Sequence, residues 1–573
     1  MDNPKIAQIF QEIGDILEIL DKDRFRISSY HQAAQTIASL SHDLRDVWHE
    51  DPKALQKIPG IGKSLAEKIE EILKTGDCKD HQQLLKKIDP GMLTLLTIRG
   101  LGPKKVKLFY KELKIKNTHD LEKAAKSGKI RELPRMGEKS EKEILKAIKE
   151  SRKYQKRMLL STALREATAL INHLKECPAV KRVEYAGSLR RKKETIGDLD
   201  ILAIGTKAEE ITRYFIAYPE VSKVLVQGKT KTSVLLKSGV QSDLRILPQK
   251  SFGAAYHYFT GSKEHNIVIR ERAKKKKLKI NEYGVFRGKK MVAGKTEEEI
   301  FKSVGLPFIP PEMRENSGEI EAAEKGKLPR LVEQKDIKGD LHVHTNWSDG
   351  DSSLKEMVVG AKNAGLSYIA ITDHASPIGI VHGLDEKRLR KQIKEIDRLN
   401  QKLKGFRVLK GAEVDILPSG KLHLSDHVLA QLDIVIASIH TRFRLPKKEQ
   451  TDRILQALQN PHLNILGHPT GRLINKREPI AIDMEAVISE AKKKGVSLEL
   501  NASPERLDLN DIHCKLAKEK GVKISISTDT HHHGQYALLK FGIATARRGW
   551  LTKKDVLNTL PVEKLLKALR KTP

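Results

Sequence analysis

The stretch AGSLRRKKETIGDLDILA, residues 186–203, decides how the first half of the chain is read. Asp198 and Asp200 are two residues apart in a run whose apolar neighbours predict a β-strand. Side chains alternate along a strand, so both carboxylates face the same side and can hold the same pair of hard cations. Asp243, in SDLRIL, lies on another predicted strand where it can complete the cluster. Two divalent ions roughly 4 Å apart suit in-line phosphoryl transfer, one activating the attacking hydroxyl and one neutralising a triphosphate. Upstream, Gly187 and Ser188 form a tight turn able to contact phosphate, with Arg190 and Arg191 nearby as cations. An Asp-x-Asp on a strand is by itself often a surface pair. The Gly-Ser turn and the third strand carboxylate argue for a reaction centre.

This arrangement resembles the nucleotidyltransferase superfamily, and YFTGSKEHNIVIRERA (258–273) narrows it, being similar to the nucleotide-binding helix of family X DNA polymerases, the group containing DNA polymerase beta. The resemblance covers about residues 1–317. It implies that Ser188 and Arg191 bind the triphosphate, with Gly187 and Gly197 alongside. It also implies that Asp198, Asp200 and Asp243 bind Mg2+ (or Mn2+), Asp243 nearest the primer hydroxyl. Tyr258, Phe259 and Gly261 would line the sugar pocket and disfavour a 2′-hydroxyl. Asn266 would approach the minor-groove edge of the incoming base, and Arg270 the template side. The sequence departs from the family at Gln241, where an arginine is common, which puts a primer-backbone contact in doubt.

Toward the N-terminus the pattern is helical and repeated. LQKIPGIGKSLAEKIEEIL (55–73) is echoed by LLTIRGLGPKKVKLFYKEL (95–113), matching Gly60 and Gly62 to Gly100 and Gly102. Each unit sets a Gly-x-Gly hairpin before a helix, so free backbone N–H groups can point at a DNA phosphate and the glycines permit close approach. Such contacts hold the DNA backbone without reading its sequence. The units resemble helix-hairpin-helix motifs of DNA repair proteins. Lys68 matches the position of a Schiff-base lysine in lyase-competent family X members, although Arg26 and His31 stand where the beta enzyme has other basic residues. An ordinary solvated helix lysine is an equal reading there.

Beyond residue 336 the chain changes character. Thirteen of its 21 histidines fall there. GDLHVHTNWSDG (339–350) puts His342 and His344 on one side of a predicted strand with Asp349 following. His374, Glu413, His440, His468, Asp529 and His531 then end successive predicted strands that alternate with charged helices. Imidazoles mixed with carboxylates suit zinc or manganese and leave room for water. The set resembles the PHP (polymerase and histidinol phosphatase) domain, a distorted α/β barrel holding three metals. The resemblance assigns His342, His344, Glu413 and Asp529 to the first ion; Glu413, His440 and His468 to the second; and Asp349, His374 and His531 to the third, with Zn2+ and/or Mn2+ as occupants.

Composition fits this division. Lys plus Arg number 106 against 74 for Asp plus Glu, a net charge of +32 that favours a polyanionic partner. No apolar run approaches the roughly 18 residues of a membrane span, and MDNPKIAQIF has no signal-peptide character. Cys78, Cys177 and Cys514 are too far apart for a disulfide framework or zinc ribbon. A cytoplasmic, nucleoid-associated monomer is expected.

The expected fold is multidomain: a helical helix-hairpin-helix N-terminal region, an α/β nucleotidyltransferase palm with thumb, and a C-terminal distorted (β/α) barrel. The expected boundaries are 1–90 for a DNA-end-binding domain, 91–153 for fingers, 154–250 for the palm, 251–317 for the thumb, 318–336 for a linker and 337–573 for the PHP domain. The resemblance implies a DNA polymerase acting with dNTPs on gapped or nicked DNA, joined to a 3′–5′ exonuclease or 3′ end-processing activity and to abasic-site cleavage. Three other readings stand beside it: a DNA-tethered phosphoesterase for small phosphates, a non-enzymatic DNA-bridging scaffold, and a template-independent nucleotidyltransferase.

Overall fold

A computed structural model describes residues 3–39, 44–58, 60–89, 91–96, 98, 101–134, 136–153, 157–228, 230–377 and 381–569. The chain divides once, into Met1–Lys156 and Arg157–Pro573. No helix among the described residues is long and apolar enough to cross a membrane.

The first unit is helical. Ile6, Phe10, Ile13 and Leu17 recur at helical spacing along Asn3–Ile19 and are at most 1% exposed, which is how an amphipathic helix buries one stripe. Their cluster runs on through Ile69 and Ile72 to Phe109 and Ile148. Residues 1–90 and 91–153, expected as separate domains, therefore share one core. The two motif helices, Lys63–Thr75 and Pro103–Leu113, begin at Gly62 and Gly102.

The second unit starts with a five-stranded sheet in the order Val180–Tyr185, Asp198–Gly205, Gln241–Leu247, Lys231–Leu236, Val221–Gln227. Both faces of Asp198–Gly205 are covered. Leu199, Ile201 and Ala203 face a cluster that includes residues of the helix Leu160–Lys175, whereas Leu202 and Ile204 face Phe252 and Ala255. Period-two alternation puts Asp198 and Asp200 on the second face, toward the helix Phe252–Thr260 that carries Tyr258 and Phe259. The helices Lys263–Lys275 and Glu297–Ser303 and a small antiparallel sheet follow.

The C-terminal part is a run of parallel strands in the order Gly339–Val343, Tyr368–Ile371, Arg407–Asp415, Ile434–Ser438, Ile465–Leu466, Ser497–Asn501, Ile524–Ser527. A parallel bridge between Val343 and Thr530 joins the first strand to the segment after the last, nearly closing a barrel. Its strands are buried on both faces, as parallel sheets require.

Residues 318–336, expected as a linker, are packed: they carry the helix Glu319–Glu324 with Ile320 and Ala323 buried, and Val332 N–H donates to the Leu551 carbonyl at 2.9 Å. Polar residues and Pro329 do mark irregular backbone there, but four apolar side chains, Ile320, Ala323, Leu331 and Val332, supply enough burial to pin it. The palm and barrel are joined similarly, because Ile474, Leu507, Phe541 and Ala544 belong to the palm cluster.

Candidate active sites

In the palm, Asp200 sits opposite Asp243 in parallel register, and Asp198 opposite Gln241. Burial, reinforced by Asp198 and then Asp243, pushes the Asp200 carboxyl up to about 7. Such crowding of acids is what a divalent pair relieves, so the donor set fits hard cations. The three carboxylates are nonetheless not gathered within 4.8 Å of one another. Asp243 is engaged by Lys231 Nζ at 2.6 Å and by the Gln241 side-chain amide. Burial alone would raise the Asp243 pKa, but Lys231, Ser233 and Gln241 lower it.

Gly187 explains how Asp200 fits. Its φ is +62°, and a Cβ there would lie 2.2 Å from Asp200 Oδ2. The glycine turn and the acid thus occupy one another's space, a relation invisible in the linear pattern.

A cleft of about 490 Å³ opens beside these acids. Gly187, Ser188, Arg191, Asp198 and Asp200 form one side; Tyr258, Phe259, Gly261, Asn266 and Arg270 form the other. Asn266 is fixed by donating to the Tyr258 carbonyl at 2.7 Å, and Phe259 is covered by the Arg245 guanidinium at 4.3 Å. Gly197 and Asp243 do not line this cleft; Gly197 lies against Arg157. Three lining cations, Arg157, Lys193 and Lys263, escaped the sequence reading because each is one ordinary basic residue in a chain rich in them. Behind the cleft, Glu297 bridges Arg190 (2.5 Å) and Arg314 (2.6 Å). Burial would raise the Glu297 pKa, but the two arginines hold it at about 2.

The barrel gathers all nine expected ligands at or just beyond strand ends. Glu413 is central: His468 Nε2 and His374 Nδ1 approach its two oxygens at 2.9 Å, His440 Nε2 at 3.3 Å and His342 Nε2 at 3.4 Å. His344 Nε2 lies 3.1 Å from Asp529, and His531 Nε2 lies 3.4 Å from Asp349. Three groups have ligand atoms within 4.8 Å of one another: His344, Asp349, His374 and His531; His342, His344 and Asp529; His374, Glu413 and His440. His344 and His374 thus each stand between two groups, whereas the assignment implied by the resemblance shares Glu413 alone between two ions. Despite these short separations, buried imidazole nitrogens of His342, His344 and His374 and an oxygen of Glu413 make no hydrogen bond of proper geometry. Orphaned buried polar atoms are costly, and convergent ones suit metal coordination. Asp529 (φ 54°) and His468 (φ 24°) both hold left-handed backbone, strain of a kind that collects at working sites.

Acids outside the expected set orient these ligands. Glu499 accepts from His342 Nδ1 at 2.7 Å and from the His468 backbone N–H at 2.6 Å, while Asp415 pairs with His440 Nδ1 at 2.6 Å. Asp373 accepts from Thr345 and Ser348, fixing the loop that bears Asp349. Asp373 and Asp415 stand one and two residues from a ligand, a signal that sequence reading could have used. Glu499 in SLELNAS carried none.

In the first unit, Gly62 and Gly102 cap their helices with open space around them, for a Cβ at either would meet nothing within 4 Å. Internal crowding therefore does not account for glycine there. Gly60 has φ +82°, and Gly100 lies outside the described residues. Lys68 Nζ pairs with Asp80 at 2.7 Å. Burial alone would lower the Lys68 pKa, but Asp80 raises it, so the amine is held protonated, a poor state for a nucleophile.

Family models match four stretches: a Helix-hairpin-helix domain at residues 1–78, a SAM-like Helix-hairpin-helix tandem at 92–150, a DNA polymerase beta thumb at 255–315 and a PHP domain at 340–503. The chain is 38% identical over 562 residues to the "DNA polymerase/3'-5' exonuclease PolX" of Bacillus subtilis (strain 168), covering 97% of each. It is also 32% identical over 232 residues to a "Probable phosphatase" of Thermoanaerobacter sp. (strain X514), covering 38% of this chain and 89% of the relative. A "Probable phosphatase" of Clostridium acetobutylicum is 34% identical over 203 residues, 34% of this chain and 78% of that one.

Proposed function

The chain belongs to the family X DNA polymerases that carry a C-terminal PHP domain, and from that premise we propose that it fills short gaps in damaged DNA and trims or repairs the primer 3′ end at a second, hydrolytic centre. It is an enzyme, a DNA polymerase with 3′–5′ exonuclease activity, taking DNA and dNTPs as substrates. The finer reading adds nicked and gapped DNA as the preferred substrate, abasic-site cleavage by the PHP centre, and a monomer working beside the nucleoid in the cytoplasm.

The observation that carries the polymerase half is the cleft where Ser188, Arg191, Asp198, Asp200, Tyr258, Asn266 and Arg270 converge. Divalent cations bound by the two donor sets supply charge neutralisation and activation of a hydroxyl or of water, Mg2+ or Mn2+ in the palm and Zn2+ or Mn2+ in the barrel. Around them, Arg191 and Ser188 bind and orient the triphosphate. Asp243, drawn toward Lys231, must turn from that ammonium to face the primer end. Tyr258 and Phe259 pack the sugar, and Asn266 and Arg270 test the base pair. Glu499 and Asp415 each accept from the Nδ1 of a barrel histidine, which leaves Nε2 of His342 and His440 directed at Glu413.

The gap preference is supported by two glycine-capped helix starts able to hold phosphate and by the net charge of +32. It is tested by comparing single-nucleotide insertion into a one-nucleotide gap bearing a 5′-phosphate with insertion on a recessed primer. At least about fivefold higher kcat/KM on the gap is expected, a modest contribution from one or two phosphate contacts; equal values would remove the preference.

A further inference from the structure

Arg191 is the triphosphate-binding arginine of the cleft, yet palm and thumb are not alone in holding it. Its Nε donates to Glu315 Oε1 at 3.0 Å, and a terminal nitrogen donates to the Thr260 carbonyl. The same Glu315 oxygen accepts from Arg548 at 2.9 Å, and that Arg548 nitrogen also donates to the backbone carbonyl of Arg191 at 2.8 Å. Arg548 ends the barrel helix Leu539–Arg548 and is gripped from behind by Asp511 at 2.7 and 2.9 Å. A barrel arginine, its side chain only 7% exposed, is thus bonded to both the backbone and the counter-ion of a nucleotide-site residue.

We propose that Arg548 is a positioning residue of the polymerase site: through Asp511, Arg548 and Glu315 the PHP barrel supplies the brace that aims Arg191 into the nucleotide cleft. The proposal rests on the reading of that cleft as the dNTP site.

The charges explain why a brace is needed. Glu315 also lies 3.8 Å from Lys193, which lines the cleft. A carboxylate shared among three cations cannot draw fully on any one of them. With Arg548 removed, Glu315 would pair only with Arg191 and Lys193 and pull both toward itself, while Asp511 would keep a buried charge without its arginine. Triphosphate binding would then have to break a stronger internal pair. The next residue provides a comparison. Arg547 makes the same kind of cross-barrel contact, to Glu312 at 2.8 Å and the Val332 carbonyl at 3.2 Å, but is bonded to neither Arg191 nor Glu315.

The test is steady-state incorporation of one dNTP into a gapped duplex by the full-length protein, Arg548→Lys and Arg547→Lys. A lysine keeps the charge, but a single ammonium on its flexible stem cannot reproduce the fixed fork that reaches Asp511, Glu315 and the Arg191 carbonyl. The dNTP KM of Arg548→Lys should rise about tenfold with kcat within about threefold, while Arg547→Lys stays within about twofold for both. Combining Arg548→Lys with Glu315→Gln should raise KM less than additively, because both act through one contact. If Arg548→Lys proves unfolded by circular dichroism, Asp511→Asn, which loosens the anchor and keeps the arginine, must show the same KM-selective loss. Equal effects of Arg548→Lys and Arg547→Lys, or no change in KM, would mean that the barrel merely abuts the palm. Failure of the parent protein to insert any dNTP would instead refute the reading of the cleft.

Discussion

Replacing Gly187 with alanine tests the link between the phosphate turn and the palm acids. At φ +62° an alanine pays about 1–2 kcal/mol for left-handed backbone. Its methyl would also lie 2.2 Å from Asp200 Oδ2, where ordinary contact begins at 3.4 Å, so the carboxylate must retreat by about 1 Å. A displacement of that size in a reacting centre costs on the order of 10²-fold in rate, or about 2.7 kcal/mol of transition-state stabilisation. The assay is single-turnover incorporation at saturating dNTP and Mg2+, with a thermal melt and primer shortening measured on the same protein. Extension should fall about 100-fold while shortening persists, since the barrel ligands do not touch Gly187. A rate within about threefold of the parent, in a folded protein, would refute the argument that Asp200 must stay where this glycine allows it.

Other substitutions separate stability from chemistry. Glu297 is 6% exposed and titrates at about 2 rather than at 4.5, so its stabilisation is fully present above pH 4.5 and is lost as pH falls toward 2. The shift corresponds to about 3 kcal/mol; urea unfolding should show Glu297→Gln less stable by at least that order at pH 7, with a gap that narrows toward pH 3. Parallel pH profiles for parent and variant would contradict this. Glu499→Gln weakens the grip on His342 and should lower metal affinity of the barrel by about 10–100-fold, read by metal content after dialysis, with primer extension intact. Gly62→Ala, at φ −78° in open space, should leave the melting temperature unchanged while weakening gapped-duplex binding several-fold by fluorescence anisotropy. Unaltered affinity would remove that helix start from the DNA contact.

What could be read from the sequence followed from short-range pattern. Asp198 and Asp200 alternate on one strand, so their shared face was implied before the sheet was known, as was that of His342 and His344 on theirs. Residues that close a site from far along the chain were less legible. Nothing in the run around Gln241 announces that its amide would engage Asp243, nor does SLELNAS announce that Glu499 would hold His342 from 157 residues away. Lys231 and Arg548 are ordinary basic residues in a chain rich in them, and only tertiary placement gives them a carboxylate to hold. The packing of segment 318–336 was illegible for a related reason. Pro329 and the charges describe the backbone correctly, but its few apolar residues decide where it lies.

The central claim is that one chain carries two independent reaction centres, and a labelled primer on a short gapped duplex tests it most directly. The primer is incubated with manganese, with and without dNTPs, for the parent protein, Asp200→Asn and His344→Ala. The account predicts that Asp200→Asn shortens the primer but does not extend it, and that His344→Ala extends but does not shorten. Loss of both activities through either single substitution, or persistence of extension in Asp200→Asn, would contradict it.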